Sequence, residues 1–215
     1  MSESFSSKRD YIPHDISILS EYCYKDDLIL DLGCGNGRLA EVLDCNYIGI
    51  DTSPKMIENA RKRYPNKEFI VSKPLSFPFP DNHFNKVFCL AVLHHIPSKQ
   101  LRQEFLKEMS RVLKPGGDLI LTVWDLNNND KAKKLIRATA AKKILTRLWF
   151  RWDFNDIYYP FKDGDKLIAK RFIHVFNLNT LEQEVSKVFN IERIEKQKRS
   201  EKGSNIFLKA KRETK

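Results

Sequence analysis

The sequence predicts an α/β fold with a doubly wound, mostly parallel sheet and helices on both of its faces. The first observation is a short apolar run at 28–32 that leads directly into alternating glycines and then into a helical pattern. The second is a regular alternation of apolar runs with amphipathic segments as far as Trp124. Strands that alternate with helices form parallel sheets, because each helix carries the chain back to where the next strand begins.

The elements follow one another in order up to Trp124. Predicted strands occupy 28–32, 47–51, 68–72, 84–91 and 118–124. Predicted helices occupy 37–44, the segment from Ser53 to about Tyr64, and the segment from Ser98 to the turn at Lys114-Pro115-Gly116-Gly117. Ser53 is suited to cap its helix, and Pro54 suits the first helical position, where a missing N–H costs nothing.

The pattern changes after Trp124. An asparagine loop precedes a basic amphipathic helix at 131–150, and an aromatic-rich stretch extends to Phe161. A helix at 179–188 and a β-ribbon formed by 191–198 and 205–211 follow. We therefore expect a single domain over residues 1–215 that carries a basic, aromatic insertion at about 127–170.

The glycine loop and the acid at the end of the next strand predict a nucleoside site. Gly33, Gly35 and Gly37 let a ligand approach the backbone where a side chain would block it. Asp51 ends the second strand, where a carboxylate accepts hydrogen bonds from a ribose diol. The loop has neither the dinucleotide spacing nor the lysine of a phosphate loop. Asp31 can face a cationic amine, so an adenosyl ligand with an amino-acid tail and a sulfonium fits.

This block resembles motif I of class I S-adenosylmethionine-dependent methyltransferases. The resemblance implies a Rossmann-like, seven-stranded sheet with an antiparallel last strand, and S-adenosylmethionine as cofactor. The cofactor-binding residues that it implies lie at or just beyond the ends of the first four strands: Asp31, Gly33, Cys34, Gly35, Asn36, Gly37, Asp51, Thr52, Ser72 and Leu90.

Composition limits the location and the metal chemistry. No apolar run approaches the ~20 residues of a membrane span, and the N-terminus lacks the apolar stretch of a signal peptide. We expect a cytoplasmic protein that does not contact a membrane. The cysteines, which form no C-x-x-C pair, are expected to be reduced apolar residues, so no metal site is predicted; they are Cys23, Cys34, Cys45 and Cys89.

The chain is basic, with 38 Lys and Arg against 28 Asp and Glu and a net charge of +10. The segment 131–151 is rich in basic residues and contains no acid. Basic residues beside aromatic residues suit phosphate contacts and stacking on unpaired bases, as in an RNA partner. The same pattern also fits a charged, solvated helix and a lid whose aromatic residues pack on the core.

Four blocks resemble the tRNA wobble-uridine methyltransferase family, which methylates the carboxymethyl group of 5-carboxymethyluridine. They lie at 5–9, at 75–84, at 91–95 with 110–117 and 124–126, and at 156–161 with 171–176 and 181–184. The resemblance implies a tRNA substrate and, in eukaryotes, a small zinc-binding activator protein. Three positions depart from the family: Lys73-Pro74 replaces an acid and a glycine after the third strand, and Asn85 replaces an aspartate.

A carboxylate is already a nucleophile at neutral pH, so its methylation needs alignment and desolvation more than a strong base. Arg9 is the predicted orienting cation, and His94 and His95 are predicted catalytic residues beyond the fourth strand. Both histidines also suit a structural role in that loop, and His174 suits one in an apolar strand. Two other functions stay open: a small-molecule methyltransferase of the quinone-biosynthesis type, and an inactive scaffold that binds RNA or a partner.

Overall fold

The structure, a computed structural model, describes residues 14–146, 153–163, 166–200 and 203–214. Seven strands form one sheet in the order β3-β2-β1-β4-β5-β9-β8. These strands are β1 Leu28–Leu32, β2 Asn46–Asp51, β3 Glu68–Val71, β4 Phe84–Leu90, β5 Leu113–Asp125, β8 Asn190–Ser200 and β9 Gly203–Lys211. The pairs from β3 to β5 are parallel, whereas β9 runs antiparallel to both β5 and β8. The predicted fold, with its antiparallel last strand, is confirmed.

Helices cover both faces of this sheet. The described helices are α1 His14–Ser17, α2 Pro54–Arg63, α3 Lys99–Val112, α4 Asp130–Thr146 and α5 Leu178–Val185, with 3₁₀ turns at Ile18–Tyr22, Arg38–Glu41 and Leu93–His95. Val87 and Cys89 of β4 join the apolar cluster that holds α3 and α5, whereas Phe88 joins the cluster that holds α2. Successive side chains of a strand face opposite sides, so both faces of the sheet are buried. No helix among the described residues has the length and apolar character that a membrane crossing requires.

The capping residues place α2 and α3 where the sequence predicts them. The Ser53 hydroxyl accepts from the Met56 N–H at 3.4 Å, and the Ser98 hydroxyl accepts from the Leu101 N–H at 3.3 Å. The predicted helix at 37–44 was wrong in length and type. Only a 3₁₀ turn forms there, because Gly37 adopts a left-handed φ of 80° and the chain must soon enter β2.

A second, two-stranded sheet follows α4. It consists of β6 Asp156–Asp163 and β7 Lys166–His174, which pair in antiparallel fashion. Buried Ile157 and Ile173 of this hairpin pack with Ala132 of α4 and against Trp124 at the end of β5. The hairpin and α4 therefore rest on the carboxyl end of the large sheet. The predicted insertion at about 127–170 contains α4, β6 and part of β7, and the division into one domain with an insertion stays a prediction.

Candidate active site

A cavity of about 770 Å³ opens at the carboxyl ends of β1 to β5. One side, which we call the loop side, consists of residues at or just beyond the ends of β1, β2 and β3, including Gly33, Gly35, Asp51 and Lys73. The other, the hairpin side, consists of His95, Trp124, Arg171 and Phe172. The volume lies within the range of small-molecule and cofactor sites.

The glycine loop after β1 needs glycine at two positions for different reasons. Gly33 has a φ of 69°, and a Cβ there would lie 2.4 Å from Val92 Cγ2. Gly35 has a φ of 57°, and a Cβ there would meet no atom within 4 Å. Gly35 lines the cavity, so a side chain at this position would occupy space that a ligand can use.

Asp51 at the end of β2 connects this loop to the start of α2. Its Oδ2 accepts from the Gly35 N–H at 3.0 Å, and its Oδ1 accepts from the Ser53 N–H at 2.8 Å. A carboxylate has about four acceptor positions, so both oxygens keep the capacity to accept from ligand hydroxyls. The Asp51 side chain therefore joins the glycine loop to the start of α2 and also presents acceptors at the cavity.

Asp31 lies behind the loop. It is buried, and its Oδ2 accepts from the Tyr47 hydroxyl at 2.7 Å. Burial raises the pKa of Asp31 to about 7, and the charge of Asp51 adds to the rise, although the Tyr47 hydrogen bond opposes it. Such a carboxyl is half-protonated near neutral pH, so it is a weaker partner for a cationic amine than an exposed aspartate would be.

Nine of the residues predicted from the sequence line the cavity: Gly33, Cys34, Gly35, Asn36, Asp51, Thr52, Ser72, Leu90 and His95. Three other predicted residues do not line it. Asp31 bonds to Tyr47, Gly37 with a φ of 80° lies against Phe69, and His94 is fully buried. Arg9 lies outside the described residues.

The two neighbouring histidines differ in environment. His94 has no exposed surface, and neither of its ring nitrogens has a hydrogen-bond partner within the described part of the chain. Burial holds the pKa of His94 well below its usual range. His95 lines the cavity, and its Nδ1 lies 2.8 Å from the carbonyl oxygen of Phe172. A carbonyl only accepts, so Nδ1 carries the proton and Nε2 holds the lone pair.

Three residues of the hairpin side are absent from the residues predicted by sequence. Trp124 ends β5, and its ring lies 5.0 Å from the His94 ring and 5.8 Å from the His95 ring, centroid to centroid. Arg171 and Phe172 come from β7. The block at 171–176 was the available signal, since it belongs to the tRNA-methyltransferase resemblance. The sequence indicates an apolar strand around His174 but not its pairing with β6.

The departure at Lys73-Pro74 lies on the cavity wall. Lys73, Pro74 and Ser72 all line the cavity. The Ser72 hydroxyl donates to the carbonyl oxygens of Lys73 and Ser76, each at 3.3 Å, which folds this segment into a compact turn. The segment thus offers backbone groups and a serine oxygen where the related family has a carboxylate.

A buried ion-pair network joins the hairpin to the helices behind the cavity. Arg102 of α3 is fully buried, donates to both carboxylate oxygens of Glu184 at 2.8 and 2.9 Å, and bonds to Asp153 at 2.8 Å. His174 Nδ1 lies 2.7 Å from Asp156 Oδ1. Asp153, Asp156 and His174 have the spacing of metal ligands. Arg102 and the His174–Asp156 hydrogen bond already engage these groups, so their arrangement is explained without an ion.

Comparisons with known proteins agree with this architecture. Residues 30–121 match the family model described as a methyltransferase domain. A human protein named "Probable tRNA methyltransferase 9B" is 37% identical over 105 residues, which cover 48% of this chain and 23% of the human protein. The tRNA (carboxymethyluridine(34)-5-O)-methyltransferase of Arabidopsis thaliana is 32% identical over 127 residues, which cover 59% of this chain and 31% of that protein. The chain therefore spans less than a third of the length of these two relatives.

Solved structures give the same fold. A crystal structure of a SAM-dependent methyltransferase from Methanosarcina mazei superposes with a TM-score of 0.74 at 24% identity, covering 92% of this chain and 98% of that one. The complex between the Haloferax volcanii Trm112 methyltransferase activator and "the putative methyltransferase" contains a chain that superposes with a TM-score of 0.60 at 14% identity, covering 88% of this chain and 83% of that one. The 27-O-demethylrifamycin SV methyltransferase of Amycolatopsis mediterranei is 36% identical over 105 residues, which cover 44% of this chain and 38% of that protein.

Residues 30–121 match a methyltransferase domain, and the chain has the fold of solved SAM-dependent methyltransferases. The predicted class and its cofactor are thereby confirmed. The residues fit that cofactor: Gly35 leaves open space, Asp51 offers acceptors, and apolar residues such as Met56 and Phe77 complete the wall.

Proposed function

We propose that this protein transfers the methyl group of S-adenosylmethionine to the carboxymethyl group of a wobble uridine in tRNA. The observation that carries the proposal is the hairpin side of the cavity, where a guanidinium and two aromatic rings stand beside a basic helix. A carboxylate on an aromatic base is the class of acceptor that matches these groups. The Arabidopsis relative is named for this reaction, which supports the choice.

The loop side is assigned to the cofactor. Asp51 would accept the ribose hydroxyls, and the backbone around Gly35 would lie under the amino-acid tail. When bound, S-adenosylmethionine supplies an electrophilic methyl group on a cationic sulfur. Asp31 is assigned to support of this loop through Tyr47 rather than to ligand contact, because it is buried behind it.

The chain has to align and desolvate the acceptor. One carboxylate oxygen of the substrate forms a bond to the methyl carbon while the carbon–sulfur bond breaks. The electron pair of the carbon–sulfur bond stays on sulfur. No proton is removed, so the reaction needs no strong base. Burial lowers the pKa of His95, which therefore stays neutral at physiological pH and adds no positive charge beside the acceptor.

The RNA-binding surface is assigned to α4 and to exposed aromatic residues in and just before the hairpin. Lys131, Lys133, Lys134 and Arg137 of α4 are exposed. Phe154 and Tyr158 are 53% and 51% exposed, which is high for aromatic side chains and suits stacking on unpaired bases. We further propose a small zinc-binding activator protein as a partner and the cytoplasm as the location.

The test is methyl transfer from labelled S-adenosylmethionine to a matched pair of transcripts. One tRNA carries 5-carboxymethyluridine at the wobble position, and the other carries uridine there. We expect label in the first alone, and we expect alkali to release it, because the product is a methyl ester. Label that resists alkali, or equal label in both, refutes the proposal; the reaction is run with and without an added activator.

A small-molecule methyltransferase is the second candidate, and one geometric observation favours it. His95 directs its protonated Nδ1 at Phe172, so Nε2 is an acceptor at the cavity and a suitable base for an N–H or C–H substrate. The Amycolatopsis relative is named for a small-molecule reaction. His95→Ala separates the two: turnover of a carboxylate should fall modestly, whereas turnover that depends on a base should fall about 100-fold or more. A protein that binds no cofactor would instead be the inactive scaffold.

A further inference from the structure

We propose that Arg171 binds the carboxylate of the substrate and so determines that the enzyme accepts an acid rather than an amide. This inference rests on the proposed function and gives it a specificity-determining residue. Arg171 lies on β7 and lines the cavity together with Phe172.

The distribution of charge around the cavity singles out Arg171. Among the described residues that line the cavity, the charged side chains are Arg38, Asp51, Lys73 and Arg171. Arg38 follows β1, Asp51 ends β2 and Lys73 follows β3, so these three belong to the loop side. Arg171 is the charged member of the hairpin side, and it stands there with neutral His95, Trp124 and Phe172.

Arg171 and His95 line the same side of the cavity. The positive charge of Arg171 also contributes to the lowered pKa of His95. His95 in turn bonds to the backbone of Phe172. A carboxylate between His95 and Arg171 would therefore lie within the pocket that the hairpin closes.

The packing of Arg171 suits it to anion binding. Its guanidinium lies 3.9 Å from the centroid of the Phe161 ring, on the neighbouring strand. Stacking over a ring engages the flat face of a guanidinium, whose N–H donors lie along its edge. Burial lowers the pKa of Arg171, a sign of a partly desolvated cation, and a cation out of water attracts a carboxylate more strongly. A planar fork of donors also matches a carboxylate in two hydrogen bonds.

The experiment measures binding of two nucleosides by calorimetry, with the protein saturated with S-adenosylhomocysteine. The probes are 5-carboxymethyluridine and 5-carbamoylmethyluridine, which differ in charge and hardly in shape. We expect the wild type to prefer the acid. Arg171→Gln should weaken acid binding roughly 10- to 100-fold, the range for a charge-assisted hydrogen bond, and should leave the amide within about twofold.

Three controls belong to the test. Lys170→Gln makes the same charge change at an exposed neighbour and should leave both affinities unchanged. Arg171→Lys keeps the charge without the fork and should restore part of the preference. Arg9→Gln tests the other candidate cation, and a loss of the acid preference there but not in Arg171→Gln overturns the proposal.

The remaining outcomes are also decisive. Arg171→Gln that keeps the acid preference, or a wild type that binds the two nucleosides equally or not at all, overturns the assignment. Unchanged binding of S-adenosylhomocysteine to Arg171→Gln shows that the variant is folded. If the wild type methylates the carboxymethyl tRNA while Arg171→Gln keeps the preference, this inference fails and the proposed function stands. If the wild type prefers the acid through Arg171 but methylates no tRNA, the proposed function fails and the assignment stands.

Discussion

Replacing Asp51 by asparagine should weaken cofactor binding through two losses at once. In the structure, Asp51 Oδ2 accepts from the Gly35 N–H at 3.0 Å and Oδ1 accepts from the Ser53 N–H at 2.8 Å. An asparagine of the same shape presents an NH₂ group in place of one oxygen. That group cannot accept from the backbone donor that it faces, and it cannot accept from a ribose hydroxyl.

The magnitude follows from the charge of the lost acceptor. Hydrogen bonds to charged groups contribute about 1.5–3 kcal/mol, so the dissociation constant for S-adenosylhomocysteine should rise about 10- to 150-fold. Calorimetry measures this directly. Asp44→Asn is the matched control, because Asp44 is an exposed carboxylate that does not line the cavity. The affinity of this variant for S-adenosylhomocysteine should stay within about twofold of the wild type.

Equal dissociation constants for the wild type and Asp51→Asn would refute the reasoning about the ribose. A comparable loss in Asp44→Asn would also refute it, since net charge alone would then explain the effect. Thermal unfolding of each variant without ligand checks that the loop remains folded. A variant that is unfolded at the assay temperature would be replaced by Asp51→Glu, which should retain more affinity than the amide.

Four further predictions concern other parts of the chain. The pKa of Asp31 is raised from 3.8 to about 7 in the folded protein, so its contribution to stability is present at low pH and is lost as the pH rises through that window. Asp31→Asn should remove this loss, which is at most about 4 kcal/mol by the pKa difference. Urea unfolding at about pH 4 and about pH 8 measures it. Arg102→Met leaves buried Glu184 without its partner, so urea unfolding should show a loss of about 3–5 kcal/mol; a loss below about 1 kcal/mol contradicts this. Charge reversal on the exposed face of α4 should weaken tRNA binding and its salt dependence but leave cofactor binding intact, as measured by filter binding; the residues are Lys133, Lys134 and Arg137. Chelation with EDTA should leave the activity of the purified chain unchanged, and loss that zinc or magnesium restores would reveal a missed metal site.

Much of the loop side could be predicted from sequence because its signals are local. Glycines at alternate positions after an apolar run, and an acid at the end of the next strand, specify backbone conformation and one acceptor within about twenty residues. The cap at Ser53 is likewise a local hydrogen bond. Local patterns of this kind are readable because the residues that interact are neighbours in the chain.

The hairpin side could not be predicted as well, because its residues meet only through tertiary packing. Arg171 reaches the cavity by the pairing of β7 with β6 and the packing of both on β5 and α4. His94 and His95 were equally good candidates from sequence. In a 3₁₀ turn, adjacent side chains point about 120° apart, so one of the two is buried and the other faces the cavity. The helix predicted at 37–44 was wrong because the spacing of apolar residues does not show how long a helix is. Leu39, Ala40 and Leu43 are buried and have helical spacing, although only one 3₁₀ turn forms.

The most direct measurement is mass spectrometry of nucleosides from tRNA that carries 5-carboxymethyluridine, after incubation with this protein and isotope-labelled S-adenosylmethionine. The proposed function predicts one labelled methyl group on that nucleoside, present as an ester that alkali converts back to the acid. It also predicts that labelling slows when Asp51→Asn replaces the wild type at a cofactor concentration below the variant's dissociation constant. An unmodified carboxymethyluridine in the presence of a cofactor-bound wild type and an added activator, or a methyl group on another nucleoside, would contradict it.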